Sequence, residues 1–148
     1  PLIMKKIFYS FLLFASVSLF AQKNPTIKFA IANDIVGTTK MFDEKKDIIQ
    51  SVNVYKSSAN LPQALKKYSP VAENGIAEIK IKNGYENLDR ISLADLNQQN
   101  NLPKETPVFI EGYEFTNTDT NVYGDILIKM EVKDYNGKKS LFITTTQK

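Results

Sequence analysis

The sequence of 148 residues contains neither cysteine nor histidine. Without cysteine the chain forms no disulfide, so its stability must come from its core, and it has no thiol for the N-terminal lipid of a bacterial lipoprotein. Without histidine it cannot build Ser-His-Asp or Cys-His nucleophile systems, or a zinc site with histidine ligands. Carboxylates, lysine, tyrosine and hydroxyl groups remain for catalysis. No motif in the sequence assigns these groups to a catalytic, metal or cofactor site, so none is predicted.

A concentrated block of positive charge is also missing. The sequence has 19 basic and 16 acidic residues, and two of the lysines, Lys5 and Lys6, belong to an N-terminal leader, which leaves 17 basic residues against 16 acidic ones. Because no run of lysine and arginine stands apart from the acids, nucleic acid and anionic lipid are not expected partners.

The N-terminus has the three parts of a secretory signal peptide. Met4 precedes the two lysines, an apolar run covers residues 7–20, and Ala21 is the small residue before polar Gln22. The run is shorter than the about 20 residues of a membrane-spanning helix, although a retained anchor is the alternative. We predict a signal peptide over residues 1–21, in which residues 1–3 precede the true start of translation. The rest, residues 22–148, is predicted to be one exported domain without a transmembrane segment.

Alternating apolar residues predict several strands in the exported part. Three of them are Ser51–Lys56, Gly75–Lys82 and the segment "DILIKMEVKD", whose apolar residues fall on one face. A short helical turn is predicted over 41–48, a helix over 62–68 and a second helix after an N-cap at Ser92. Helices between strands indicate an α+β fold with a mixed β-sheet. The residues expected in its core are Val52, Val54, Leu65, Ile79, Ile81, Ile128, Met130 and Ile143.

Two segments of the chain look alike. "NGIAEIKIKN" and "NGKKSLFITT" each place Asn-Gly before a β-rich run, and each follows a strand with a polar-valine pair. Asn136-Gly137 tolerates the positive φ angles of a type I′ turn and predicts a C-terminal β-hairpin. The pattern indicates two degenerate half-repeats, about 26–83 and 106–148. The alternative is that Asn-Gly turns are simply common between strands.

The segment "IQSVNVYKSSA", followed by a helical stretch and "ENGIAEIKIK", resembles the plug domain of TonB-dependent outer-membrane receptors, especially the starch-utilisation type of the Bacteroidetes. "PVFIEG", residues 107–112, is similar to another strand of that family. The resemblance covers about half of the exported chain. It implies that Ser51–Lys56 and Gly75–Lys82 lie in one sheet as a parallel or near-neighbour β-α-β unit with a right-handed crossover. The about 22-stranded barrel of such a receptor has no counterpart here, so the resemblance implies a stand-alone plug-like module.

Several side chains are candidates for function. Aromatic residues concentrate at Phe109, Tyr113, Phe115 and nearby Tyr123, which predicts a contact surface if they are exposed and core if they are not. The polar loop Asn117–Asp125 offers oxygen ligands for calcium but lacks the spacing of an EF-hand, so a plain loop is the alternative. The carboxylate pairs of a glycoside hydrolase could be Glu111 with Glu114 or Asp43 with Glu44. Nothing in the sequence indicates that either pair meets in a cleft.

Three functions follow from these patterns. The first is an exported, non-enzymatic, plug-like interaction module of the periplasm or outer membrane, whose partner is another protein of the cell envelope. The second is an unrelated secreted α+β domain that binds glycan or peptide. The third is a small hydrolase that uses carboxylates. The oligomeric state is left open.

Overall fold

The computed structural model of the protein describes residues 27–147, so the predicted leader and its cleavage point lie outside the described part. The strands, in chain order, are β1 Phe29–Ala32, β2 Ile35–Thr38, β3 Ile49–Tyr55, β4 Ile76–Ile81, β5 Arg90–Ser92, β6 Val108–Ile110, β7 Tyr113–Phe115, β8 Asn121–Tyr123, β9 Lys129–Tyr135 and β10 Lys138–Thr144. The α-helices are α1 Thr39–Asp43 and α2 Leu93–Gln99, and the 3₁₀ helices are Lys46–Ile48, Ser58–Asn60, Gln63–Val71 and Gly124–Ile126. Short helices among mixed sheets confirm the predicted α+β class.

The strands form two mixed sheets. The larger has the order β3-β4-β1-β2-β8-β5, and the smaller has the order β7-β6-β10-β9. Three neighbouring pairs run parallel, namely β1 with β4, β2 with β8, and β6 with β10. The remaining pairs are antiparallel.

The predicted β-α-β crossover is wrong in its strand direction. β3 and β4 are neighbours in one sheet, as expected, but they run antiparallel, with Val52 opposite Ile79. Gly75, at a φ of 106°, brings the chain back against the end of β3, where a Cβ would lie 2.9 Å from the carbonyl oxygen of Tyr55. Because β4 begins where β3 stops, the two strands must run in opposite directions, and no crossover is required.

The connection between β3 and β4 is helical, but its main helix is a 3₁₀ helix. Gln63–Val71 contains Pro70, which has no N–H to donate to an α-helical hydrogen bond. A 3₁₀ helix has three residues per turn, so side chains three apart lie on one face. The buried residues of this helix are Leu65, Tyr68 and Val71, which follow that spacing of three.

Two local predictions are confirmed. Ser92 caps α2, since its side chain accepts a hydrogen bond of 3.0 Å from the backbone N–H of Asp95. β9 and β10 form the C-terminal hairpin around Asn136-Gly137, and both turn residues have positive φ, as a type I′ turn requires.

The core fills the space between the sheets and under α1. Phe29 of β1 makes edge-on contacts with Tyr113 and Phe115 of the smaller sheet. On the other face of the larger sheet, Phe42 of α1 packs edge-on against Tyr123. These contacts join both sheets in one apolar cluster.

Half of the predicted core residues are buried and the others are not. Leu65, Ile79, Ile81 and Ile143 are buried, while Val52 and Val54 are partly exposed. The expectation for Ile128 and Met130 is wrong, because both are exposed. β9 lies at the edge of the smaller sheet, and all of its residues are exposed.

The two segments proposed as half-repeats have the same strand arrangement. In the first, the spatial order is β3-β4-β1-β2; in the second it is β9-β10-β6-β7. In each, two antiparallel pairs flank a central parallel pair. The turns also agree, since Asn33-Asp34 and Glu111-Gly112 are two-residue connections with positive φ. Thus β1, β2, β3 and β4 correspond to β6, β7, β9 and β10.

Candidate protein-interaction edge

β9 is the most exposed strand among residues 27–147. All seven of its residues are exposed, and within the described chain it pairs only with β10. An edge strand presents unpaired backbone N–H and C=O groups, which another extended chain can use. The free side of β9 is therefore a candidate site for protein binding.

One face of β9 continues the hydrophobic core into solvent. Val132 lies opposite Leu141 and Met130 opposite Ile143, so these pairs share a sheet face, but only the residues of β10 are buried. Met130 is 39% exposed and Val132 38%, and Ile128, just before the strand, is 41% exposed. We call Ile128, Met130 and Val132 the apolar strip.

The opposite face of β9 is held by aromatic contacts. Phe109 and Phe142 stack with ring centroids 4.7 Å apart, and the Tyr135 ring lies 4.6 Å from that of Phe109. The Lys133 ammonium lies 4.5 Å from the centre of the Phe142 ring, within the range of a cation–π interaction. This aromatic cluster, Phe109, Tyr135 and Phe142, anchors β9 to the sheet and keeps its free edge extended.

Hydrogen bonding shows which backbone groups of β9 face outward. The carbonyl of Ile143 accepts a bond of 3.0 Å from the N–H of Glu111, so the backbone groups of Ile143 point towards β6. These groups alternate in direction along a strand, and residues opposite each other in an antiparallel pair both point inward or both point away. Met130, opposite Ile143, therefore points away from β10, and so do Val132 and Asp134.

The aromatic residues predicted as a contact surface are mainly internal. Tyr123 is fully buried and its hydroxyl donates a hydrogen bond of 2.9 Å to the carbonyl of Ala32. Phe115 is buried and Tyr113 is partly buried, and both pack edge-on against the ring of Phe29. Phe109 is buried in the aromatic cluster. Phe109, Phe115 and Tyr123 are therefore described by the core alternative, whereas Tyr113 is only partly buried.

β9 itself was predicted as a strand but not as a site. Its alternation of apolar and charged residues is the same for a strand whose apolar face is buried and for an uncovered edge strand. The signal that could have identified the edge is the sequence Lys129, Glu131, Lys133, since charged residues, lysine especially, are the usual protection of sheet edges.

A polar cleft lies on the larger sheet beside the 3₁₀ helix Gln63–Val71. It has a volume of about 470 Å³, and its lining includes Asp34, Asn53, Lys67 and Glu78. Partial burial acts to raise the pKa of Asp34, but hydrogen bonds from Lys67 (2.6 Å) and the Tyr68 hydroxyl (2.7 Å) outweigh it and lower that pKa. Glu78 accepts a bond of 3.2 Å from the Tyr55 hydroxyl. Both carboxylates thus have structural partners.

The other candidate oxygen ligands also have local roles. Glu111 accepts bonds of 2.6 and 2.9 Å from the N–H and hydroxyl of Thr145, and Asp43 pairs with Lys46 at 3.2 Å. In the polar loop, the Asn117 side chain accepts a bond of 3.0 Å from the N–H of Asp119, as in an Asx turn. Within residues 27–147, no three acidic side chains are grouped closely enough to hold a metal ion.

No helix within residues 27–147 is both long and apolar enough to cross a membrane. Comparison with protein-family models, with curated proteins and with solved structures finds no match to this chain.

Proposed function

We propose that this chain is an exported, non-enzymatic, plug-like interaction module of the periplasm or outer membrane. It binds another protein of the cell envelope, which adds an extended strand to the free edge of β9. The main support is the exposure of all seven residues of β9 beside an anchored, regular neighbour strand. Strand addition of this kind derives affinity from backbone hydrogen bonds and specificity from alternate side chains.

The side chains of β9 define the partner segment. Outward backbone groups at Met130, Val132 and Asp134 bind the partner's main chain. The apolar strip favours apolar residues at alternate positions of the added strand, because these shield it from water. On the other face, Lys129 and Lys133 flank Glu131, so the partner's best match is a basic residue between two acidic ones.

The repeated strand arrangement supports the plug-like character. The segments that resemble the receptor plug, "IQSVNVYKSSA" and "ENGIAEIKIK", cover β3 and β4, and the corresponding strands of the second segment are β9 and β10. The same arrangement occurs in both, which agrees with two related plug-like units in one chain. The candidate edge β9 thus occupies the position that β3 has in the first unit.

The function is tested by photo-crosslinking in an outer-membrane extract of the source cells. A photoreactive side chain at Met130 should crosslink to an envelope protein, whereas the same group at Tyr85, which is 55% exposed and distant in sequence from β9, should not. Val132→Pro should abolish the crosslink from Met130, because proline removes an outward N–H and leaves the bonds between β9 and β10 intact.

The matched control is Val132→Thr, which keeps the N–H and a β-branched side chain and should keep the crosslink. Circular dichroism and thermal melting establish that both variants are folded. Equal crosslinking at Tyr85 and Met130, or undiminished crosslinking in folded Val132→Pro, would contradict strand addition at β9.

The polar cleft favours a second candidate function, binding of a glycan or peptide by a secreted α+β domain. Asn53, Lys67 and Asp34 supply donors and acceptors around about 470 Å³, a volume within the range of small-ligand sites. Titration with soluble oligosaccharides and short peptides should then shift the amide resonances of these residues. Unchanged resonances there would remove this candidate.

A further inference from the structure

We propose that in the free protein the edge of β9 is occupied by β9 of a second copy, in an antiparallel pair centred on Val132. This inference rests on the proposed function, since it uses the same edge and the same backbone groups. Two copies of β9 related by a two-fold axis perpendicular to the sheet place matching side-chain faces on the same side of the sheet. Residues opposite each other must then be both even-numbered or both odd-numbered, so the two residue numbers have an even sum.

The outward backbone groups favour one of these registers. When Val132 faces its own copy, Met130 faces Asp134 of the second chain, and each outward N–H and C=O within Lys129–Tyr135 has a partner. This register also overlaps the full length of both strands. Sliding one strand by two residues along the other moves the centre to Glu131 or to Lys133. Either register leaves outward backbone groups of each strand without a partner. Unpaired backbone groups are costly once they are removed from water, so the Val132-centred register is preferred.

The charges on the opposite face select the same register. With Val132 at the centre, Glu131 of each chain lies directly opposite Lys133 of the other, giving two pairs of opposite charge. A shift that centres the pair on Glu131 places two glutamates opposite each other and Lys129 opposite Lys133. A shift that centres it on Lys133 places two lysines opposite each other. Like charges in direct opposition are destabilising.

A register centred on Asp134 places two aspartates opposite each other, so a register centred on Met130 is the remaining competitor. It also gives pairs of opposite charge, between Lys129 and Glu131, but it overlaps only Lys129 to Glu131 of each strand, because β9 begins at Lys129. Lys133 then has no opposite residue within β9. Lys133 therefore contributes an opposite-charge pair only in the Val132-centred register, and Lys129 only in the Met130-centred register. Charge-reversal substitutions at these two positions distinguish the registers.

Such a dimer would be weak and would mask the edge reversibly. Pairing of two strands with no other contact gives an interface at the low end of the range for specific complexes. The apolar strips of the two copies meet at Val132, so each shields the centre of the other. Because an envelope partner needs the same backbone groups, partner binding and dimerisation exclude each other. Self-pairing thus protects an exposed edge until a partner strand competes for it.

The test is sedimentation equilibrium of the mature protein from about 5 to about 500 µM, a range that brackets weak association. The wild type should pass from monomer to dimer. Glu131→Lys puts lysine opposite Lys133 twice and should weaken dimerisation about tenfold or more. It leaves the contact of Lys133 with the Phe142 ring in place. The double substitution Glu131→Lys with Lys133→Glu should restore dimerisation, because the opposite charges are exchanged between the chains.

Lys129→Glu is the matched control, a charge reversal at another position of β9. It should weaken dimerisation less than Glu131→Lys, since in the proposed register Lys129 faces Tyr135 and not a charged residue. A loss of dimer in Lys129→Glu as large as in Glu131→Lys, with none in Lys133→Glu, would overturn the Val132-centred register. A monomer at every concentration would overturn the inference as a whole.

A second readout uses the absence of cysteine from the chain. A spin label on Val132→Cys should report a short distance between two copies, whereas a label on Tyr85→Cys should not. If the wild type stays monomeric while crosslinking from Met130 to an envelope protein persists, only this inference fails. If the dimer forms but no envelope protein is crosslinked, only the proposed function fails.

Discussion

Two side chains that face each other across one hairpin should differ sharply in their contribution to stability. Ile143 and Met130 are opposite residues on the same face of β10 and β9. Ile143 is 2% exposed and Met130 is 39% exposed. What separates them is the cover above that face, because the residues of β10 on it are buried and those of β9 are exposed. Replacement of each by alanine therefore measures this cover directly.

The expected magnitudes follow from the carbon atoms removed. Ile143→Ala removes three buried carbons, at about 0.8 kcal/mol each, and leaves a cavity, so the free energy of unfolding should fall by about 2–5 kcal/mol. Met130→Ala removes atoms that already contact water and leaves no cavity. We expect it to cost less than about 1 kcal/mol. The difference between the two variants should therefore exceed about 1 kcal/mol.

Urea denaturation followed by circular dichroism measures both values. The protein should be kept at low micromolar concentration, so that association through β9 does not contribute. Ile79→Ala and Ile128→Ala form a second matched pair, since Ile79 is buried and Ile128 exposed. Equal losses at Ile143 and Met130 would refute the assignment of β9 as an uncovered edge.

Three further results are expected. Gly75→Ala should destabilise the fold by about 1–3 kcal/mol in the same assay, because φ is positive and a Cβ would meet the Tyr55 carbonyl at 2.9 Å; a neutral result would contradict that close approach. The lowered pKa of Asp34 stabilises the fold above its unfolded value of 3.8, so Asp34→Asn should be less stable than wild type at pH 7, with the difference vanishing as pH falls through the folded pKa; a constant difference across acid titration would exclude this linkage. Mass spectrometry of the exported protein should find an N-terminus near Gln22, and a retained Met4 would contradict cleavage of the leader.

The sequence by itself determined the local features of this fold. The N-cap at Ser92 and the turn at Asn136-Gly137 depend on interactions within a few residues, which the order of side chains specifies. Period-two alternation likewise identified β4 and β9 as strands. The similarity between the segments around β4 and β10 is also present in the sequence itself. The two strands occupy corresponding places in the two sheets.

The tertiary structure alone decided which apolar faces are covered and in which direction neighbouring strands run. Alternation places Met130 and Ile79 on apolar faces in the same way, but burial depends on whether another layer lies above the strand. The direction of β4 depends on the return of the chain at Gly75 to the end of β3, a contact between residues twenty positions apart. The free edge of β9 has the same origin: an edge exists only where no further strand is added, and strand order depends on contacts between distant segments.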